Sequence, residues 1–221
     1  MTETVKTHDF IVVEYTGKLQ DGTVFDTTIA KVAKDNGLFS DKHPYNPATV
    51  CVGEKQLLPG LDNEFIDKEV GKTYTATLTP EQAFGKRDVK NMRIMPMGAF
   101  KEHKMTPQPG LQINVDGQIG TITRVAGGRV IVNFNHPLAG KEVMYEFTIQ
   151  KKITQKNEQI SKFLNRTLRI PEDKITVEVK EDKAKVSLPM PLPAPVLEVL
   201  TKKLQEVTGI KEVELPTKQS S

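Results

Sequence analysis

Hydrophobic and polar residues alternate over much of the N-terminal third of the chain, a pattern that indicates short β-strands. Ile11, Val13 and Tyr15 share one face, and the Asp21-Gly22 pair that follows is a strong hairpin turn signal. Residues 61–66 instead have their apolar side chains at helical spacing. Further strands are predicted at residues 49–52, 73–79 and 143–149. The pattern therefore predicts a mixed α+β protein.

Asp26 stands out in the predicted hairpin because it directly follows the strand residue Phe25. Two interpretations are open. An aspartate at a strand-to-helix corner is commonly a turn or cap residue, and it is also a candidate site carboxylate. The Thr27-Thr28 pair after it is placed to cap a helix that ends at Gly37.

The segment after Lys86 differs in character, since four of the chain's seven methionines fall between Met92 and Met105. Flexible thioethers can form a surface that adapts to many apolar partners, or they can simply fill a small core. Strands joined by turns at Asp116-Gly117 and Gly127-Gly128 follow. Residues 86–135 are therefore predicted to form a small β-rich unit. We predict that this unit is an insertion within the first domain. The strand at 143–149 needs a partner sheet, and the sheet of the N-terminal block still lacks a strand.

A further α+β unit is predicted after Lys152, and we call residues 153–221 the C-terminal block. It has a helix near Ile160, a hairpin around Glu181-Asp182 and an amphipathic helix over 196–207. The proline-rich run at 188–195 is interpreted as a stiff connector, with a polyproline ligand as the alternative. No catalytic motif is present, so dimerisation, extra chaperone surface and ribosome contact all remain open.

Composition narrows the classes of function. A net charge of +3, without a basic cluster, gives no reason to expect nucleic acid as a partner. The single cysteine, Cys51, has apolar neighbours and is interpreted as a core thiol in a reducing compartment. The N-terminus has no apolar signal region and no later run reaches the length of a membrane span. A cytoplasmic protein without a membrane partner is expected.

Several short motifs occur together in an order typical of one enzyme family. They are Tyr15-Thr16-Gly17, Asp21-Gly22-Thr23-Val24-Phe25-Asp26, Val52-Gly53-Glu54, Leu58-Pro59-Gly60-Leu61, Ala83-Phe84-Gly85 and Asn135-His136-Pro137-Leu138-Ala139-Gly140. With them the chain resembles the FKBP-type peptidyl-prolyl cis-trans isomerases over residues 8–152. The insertion resembles the insert-in-flap arrangement of the SlyD-like branch, and the C-terminal block resembles the long archaeal members.

The resemblance implies a fold and a division into domains. An antiparallel half-barrel sheet wrapped on a short helix is expected, with the small β-rich domain inserted and an α+β domain at the C-terminus. The expected boundaries are 1–85 with 136–152 for the isomerase domain, 86–135 for the inserted flap domain and 153–221 for the C-terminal domain.

The resemblance also implies the site. The residues expected to act in catalysis are Tyr15, Phe25, Asp26, Leu58, Phe84 and Tyr145, and those expected to bind substrate in the pocket are Leu57, Leu61 and Leu138. The Leu58 N–H would hold a substrate carbonyl, and Asp26 would orient Tyr15 or polarise the pocket. Unfolded chain would be captured by the insertion, through Met92, Ile94, Met95, Met97 and Phe100.

The expected function is thus isomerisation of X–Pro bonds in unfolded or partly folded polypeptides, combined with chaperone activity. A holdase with a largely inactive barrel is the alternative, because Phe84 stands where many members carry a tyrosine. Leu61 stands where single-domain members carry a large aromatic residue at the floor of the pocket. Sensitivity to macrolide inhibitors is therefore in doubt. No cofactor and no metal are expected, since the histidines lack ligand spacing and the tail at 216–221 has none. A homodimer formed through the C-terminal domain is one expected assembly.

Overall fold

The computed structural model describes residues 3–216. The strands are β1 (Phe10–Leu19), β2 (Val24–Thr27), β3 (Ala48–Cys51), β4 (Thr73–Leu78), β5 (Met92–Pro96), β6 (Gln112–Val115), β7 (Gln118–Ala126), β8 (Arg129–Asn133), β9 (Val143–Ile153), β10 (Thr176–Lys180), β11 (Lys183–Ser187) and β12 (Glu212–Glu214). The helices are α1 (Ala30–Asp35), α2 (Pro59–Glu64), α3 (Met97–Glu102), α4 (Lys156–Leu168) and α5 (Ala194–Thr208). The α+β class is confirmed. Within residues 3–216 no helix is both long and apolar enough to cross a membrane.

The chain folds as two compact units. Residues up to Leu78, together with those from Val143 onward, form the first unit, and Thr79–Glu142 form the second. The division into three domains, with boundaries after residues 85, 135 and 152, stays a prediction.

The first unit contains a five-stranded antiparallel sheet in the order β2-β1-β9-β4, with β3 paired to β1. Strand β9 shows why it forms: its alternate residues Val143, Tyr145, Phe147 and Ile149 are all at most 2% exposed. Phe147 packs edge-on against Phe65, just after α2, with ring centroids 5.1 Å apart. The predicted half-barrel on a short helix is confirmed, and each large apolar side chain buried there contributes about 1.5–3 kcal/mol.

The predicted threonine cap of α1 is wrong. The helix begins after Ile29 without a side-chain cap and ends at Asp35. The Thr28 hydroxyl instead accepts a hydrogen bond from the Tyr15 N–H at 2.9 Å, and the Thr27 hydroxyl lies 2.9 Å from that of Thr16. Both threonines therefore tie β2 to β1 rather than starting the helix.

The C-terminal block shares a hydrophobic core with the barrel. Its hairpin β10–β11 is antiparallel, as predicted, and β12 adds in parallel to β11. Helices α4 and α5 cover this sheet, and α5 ends at Gly209 as expected. Phe10 and Cys51 of the barrel belong to the same buried cluster as Phe163 and Leu204. Cys51 is fully buried, as expected of a core thiol.

The second unit is built on a four-stranded antiparallel sheet in the order β5-β8-β7-β6. Asp116-Gly117 and Gly127-Gly128 form its two-residue turns, with positive φ at each central residue as a type I′ turn requires. Its core consists of Phe100, Ile113, Ile122, Val130 and Val132. The methionine-rich segment forms β5 and α3, two elements that the sequence pattern did not predict.

Candidate active site

The β1–β2 hairpin contains an irregularity that aims two consecutive side chains at one site. Gly17 pairs with Asp26 while Lys18 pairs with Val24, so Phe25 is an extra residue in β2. Such a bulge bends its strand and re-aims the neighbouring side chains. Phe25 and Asp26 are both half-buried, where a regular strand would turn them to opposite faces. The bulge explains how an aromatic ring and a carboxylate adjacent in sequence serve one site.

Three aromatic rings form one wall of the site. Tyr145 meets Tyr15 and Phe25 edge-on, with centroids 5.7 Å apart in both pairs and interplanar angles of 63° and 85°. Gly17 lies directly opposite Tyr145 in the sheet. A Cβ atom there would lie 2.8 Å from Phe25 Cζ and 3.0 Å from Tyr145 Cε1, closer than ordinary contact permits. Gly17 therefore makes room for the aromatic wall, a role that its motif alone did not reveal.

Asp26 is a desolvated carboxyl group. Burial raises its pKa, against the opposing effects of the Thr27 N–H, the nearby His43 and a hydrogen bond from Tyr15. Burial, followed by the charge of Asp26, raises the pKa of Tyr15 to about 12 and also raises that of Tyr145. Tyr15 thus stays protonated near neutral pH, and its hydroxyl can serve Asp26 as a donor. This geometry suits an orienting carboxylate and offers no acid–base pair.

The start of α2 carries the leucines that the sequence predicted to bind substrate. Leu58 is the N-cap residue and Pro59 the first helical residue. Among the described residues no acceptor is hydrogen-bonded to the Leu58 N–H, as a substrate-binding donor requires. Leu57 and Leu58 are half-buried, whereas Leu61 is only 1% exposed and belongs to the core beneath.

Two residues outside the predicted set hold the segment before α2 in place. Asp62 is 1% exposed, and its Oδ2 accepts hydrogen bonds from the N–H groups of Gly53 and Lys55 at 3.0 and 3.1 Å. Arg166 on α4 donates from Nη2 to the carbonyl oxygen of Gln56 at 2.6 Å. Sequence reasoning missed both residues, because neither lies near the site in a recognisable motif.

The remaining pocket candidates, Phe84 and Leu138, belong to the second unit. The Phe84 ring stacks on His136 with centroids 4.6 Å apart and planes 4° from parallel. His136 Nδ1 accepts a hydrogen bond from the Leu138 N–H at 3.2 Å. The two segments are also tied by the Gly140 N–H, which donates to the Gly85 carbonyl oxygen at 2.8 Å. Phe84 and Leu138 are thus brought together, and His136 joins them as a residue missed from the sequence.

The predicted capture residues of the second unit do not form one groove. Met95 and Phe100 line a cavity of about 220 Å³ with Met105, although Phe100 is itself a core residue at 2% exposure. Ile94 is 65% exposed and lines a separate cavity of about 190 Å³. Met97 packs partly on the core, and Met92 is half-buried.

One side-chain cluster has the composition of a metal site. Ligand atoms of His8, Glu54 and Glu206 lie within 4.8 Å of one another. The ammonium group of Lys203 is already 3.2 Å from the carboxylate of Glu54 and 2.9 Å from that of Glu206. The Lys203 ammonium group neutralises charge on these two carboxylates. The cluster is therefore an ion-pair network. The tail residues 217–221, where no histidine ligands were expected, lie outside the described residues.

Comparison with known proteins agrees with this fold. A family model described as FKBP-type peptidyl-prolyl cis-trans isomerase matches residues 1–101, and one described as FKBP26, IF domain, matches residues 93–138. A short-type peptidyl-prolyl cis-trans isomerase of Methanocaldococcus jannaschii is 35% identical over 70% of this chain and 97% of its own length. An Escherichia coli FKBP-type 16 kDa isomerase is 29% identical over 67% of this chain and 94% of its own. SlyD of Aeromonas hydrophila is 28% identical over 63% of this chain and 60% of its own.

The matched family model and these relatives place the chain among the peptidyl-prolyl cis-trans isomerases. The chain belongs to the FKBP-type peptidyl-prolyl cis-trans isomerases. It carries the IF domain that the sequence motifs predicted as an insertion.

Proposed function

We propose that this isomerase acts on X–Pro bonds of folding polypeptides at the pocket formed by Tyr15, Phe25, Asp26 and Tyr145, and that the second unit captures the unfolded chain. The observation that carries the first part is the bulge in β2, which gathers an aromatic wall and a carboxylate around Gly17.

The chemistry needs little more than such a pocket. Rotation about the peptide bond faces a barrier of about 18–20 kcal/mol, because resonance favours the planar amide. An apolar wall that accepts the proline ring removes the amide from water and so weakens that resonance. Interactions that are stronger in the twisted state than in the planar states then accelerate exchange. No covalent intermediate and no proton transfer are required.

Each polar group has a role in this mechanism. The Leu58 N–H binds the substrate carbonyl oxygen, since no protein acceptor in the described chain uses it. Asp26 accepts the Tyr15 hydroxyl hydrogen bond and fixes that ring. Leu57 adds apolar surface from the segment before α2, and the buried Leu61 supports that segment from the core.

Exchange of a short proline peptide, followed by NMR, tests the isomerase site. The intact protein should accelerate cis/trans exchange, and Phe25→Ala and Asp26→Ala should each lower kcat/KM by at least about tenfold. Asp182→Ala is the matched control, because that carboxylate is exposed and pairs with Lys211. Absence of acceleration by the intact protein would instead favour a holdase.

The chaperone part is supported by apolar exposure concentrated in the second unit. Val89, Ile94 and Ile119 are 79%, 65% and 66% exposed. Large apolar side chains at such exposure stabilise no core, whereas they gain from contact with apolar segments of an unfolded chain. The cavity beside Met95 and Met105 adds a flexible thioether surface.

A double variant, Ile94→Ser with Ile119→Ser, tests this assignment. The ratio of proline-limited protein refolding rate to short-peptide isomerisation rate should fall severalfold, since capture raises the local substrate concentration. Val199→Ser, an equally exposed apolar residue on α5, is the matched control. An unchanged ratio in the double variant would remove the second unit from substrate capture.

Assembly and location complete the proposal. Val196 and Val199 on α5, with Met190 just before it, are exposed apolar residues of the C-terminal block and support a homodimer formed through it. Light scattering of Val199→Glu should then show a shift toward monomer.

A reducing, cytoplasmic location is supported by the single cysteine, whose burial raises its pKa to about 12.

A further inference from the structure

Helix α4 of the C-terminal block forms one wall of a cavity that adjoins the isomerase site. Its apolar face, including Ile160 and Phe163, is buried in the shared core, and the helix packs against β3. Another face, carrying Lys162 and Arg166 at i and i+4, lines a cavity of about 450 Å³. Tyr15 and Asp26 line the same cavity. The cavity is therefore continuous with the predicted proline pocket.

Two of the polar residues that α4 presents to this cavity are already paired. The ammonium group of Lys162 lies 2.9 Å from the carboxylate of Glu172. The Asn165 side-chain amide donates to the Ile170 carbonyl oxygen at 2.8 Å. Neither group is left to recognise a ligand by charge.

Arg166 differs from these neighbours. Its guanidinium has five N–H donors, and Nη2 donates to the Gln56 carbonyl oxygen. No carboxylate of the described residues forms an ion pair with it, and the neighbouring Tyr15 raises its pKa. Burial lowers the pKa of this guanidinium, so its charged form would gain from an anionic partner.

The other ionisable groups of the cavity leave the Arg166 guanidinium accessible to an anion. Asp26 is engaged by the Tyr15 hydroxyl and the Thr27 N–H, and His43 adds a favourable charge effect beside it. The charge of Asp26 raises the pKa of Tyr15 and the charge of Arg166 lowers it. All three side chains line the same cavity, and no carboxylate of the described residues forms an ion pair with the guanidinium.

We propose that Arg166 is a specificity-determining residue of the isomerase, which binds the carboxylate of an Asp or Glu side chain near the proline of the polypeptide substrate. A guanidinium matches a carboxylate with two parallel hydrogen bonds, and such charge-assisted pairs are strong where water is partly excluded. The inference rests on the proposed isomerase site, because Tyr15 and Asp26 are shared by both. It makes the C-terminal block a part of substrate recognition.

The test compares short peptides that contain one X–Pro bond and carry either Glu or Gln at each position flanking the proline in turn. For the full chain, kcat/KM and the Kd measured by fluorescence anisotropy should favour Glu over Gln at one flanking position by about tenfold. Arg166→Gln should bring this ratio close to one. Arg169→Gln is the matched control, since Arg169 is exposed at the end of the same helix and should keep the ratio.

The outcomes separate the two proposals. If Glu and Gln peptides are accelerated and bound equally by the full chain at every position, the Arg166 proposal fails while the isomerase site stands. If Arg166→Gln weakens both peptides equally, Arg166 only positions the Gln56 segment and the proposal is again overturned. If no peptide is accelerated, the isomerase site fails, and the Glu/Gln ratio of Kd values still decides for or against Arg166.

Discussion

Replacing Gly17 by alanine perturbs the aromatic wall with a single added methyl group. The new Cβ would lie 2.8 Å and 3.0 Å from Phe25 Cζ and Cε2, and 3.0 Å from Tyr145 Cε1. Carbon atoms attract each other best at about 3.5–4.0 Å. The two rings must therefore move apart by roughly 0.5–1 Å to accept the methyl group.

The size of the effect follows from where these rings lie. Tyr145 is 2% exposed in the centre of the sheet and has little room to move, while Phe25 is half-buried and must take most of the shift. Overpacking of this kind costs about 1–3 kcal/mol of unfolding free energy. A displacement near 1 Å of groups that position a substrate lowers kcat/KM by up to about 100-fold.

Urea unfolding and NMR exchange of a proline peptide measure the two effects on the same samples. Gly98→Ala is the matched control, because the same added methyl meets no atom within 4 Å in α3. Its stability should stay unchanged or rise by up to about 1 kcal/mol, the helix propensity difference between glycine and alanine. Wild-type stability and wild-type peptide activity in Gly17→Ala would refute the described packing of Phe25 and Tyr145.

Three further predictions concern buried groups. Burial raises the pKa of Asp26 in the folded state above its value in the unfolded state. Between these two pKa values the native state binds more protons than the unfolded state. The contribution of Asp26 to the free energy of unfolding therefore falls as pH rises. Asp26→Asn should therefore be more stable than wild type at pH 7, with an advantage that shrinks toward pH 4 in urea titrations; a growing advantage would contradict this sign. Cys51, fully buried with a pKa of about 12, should react with a thiol reagent only as fast as the first unit opens, and labelling at the rate of a free thiol would exclude that burial. Gly120→Ala should destabilise the second unit by about 1–3 kcal/mol, because its Cβ would lie 2.6 Å from Val132 Cγ1, and hydrogen exchange of β7 and β8 measures the change.

Periodicity was sufficient to predict the barrel strands, because strong alternation such as that of β9 is set by burial on one face. The bulge at Phe25 was not predictable in this way. Its register depends on how β1 pairs at the same time with β2 and β9, and no local pattern encodes that double constraint. The threonine hydroxyls after Asp26 misled the cap prediction for the same reason, since their partners lie across the sheet.

Tertiary packing also determines the positions of the residues that sequence reasoning missed. Arg166 faces the site because α4 buries its opposite face against Phe10 and Cys51, and neither contact can be inferred from local spacing. In the second unit, the methionine-rich segment is short and mixes strand and helix formers, so periodicity could not separate β5 from α3.

Three locally unfavourable features meet around Tyr145. A glycine in a strand interior costs about 0.5–1 kcal/mol relative to alanine. An extra strand residue interrupts the ladder at Phe25, and Asp26 holds a carboxyl group where burial disfavours its charge. The proposed proline pocket accounts for their coincidence, because it uses two approaching rings, an orienting carboxylate and an interrupted strand edge to hold a twisted, desolvated X–Pro amide.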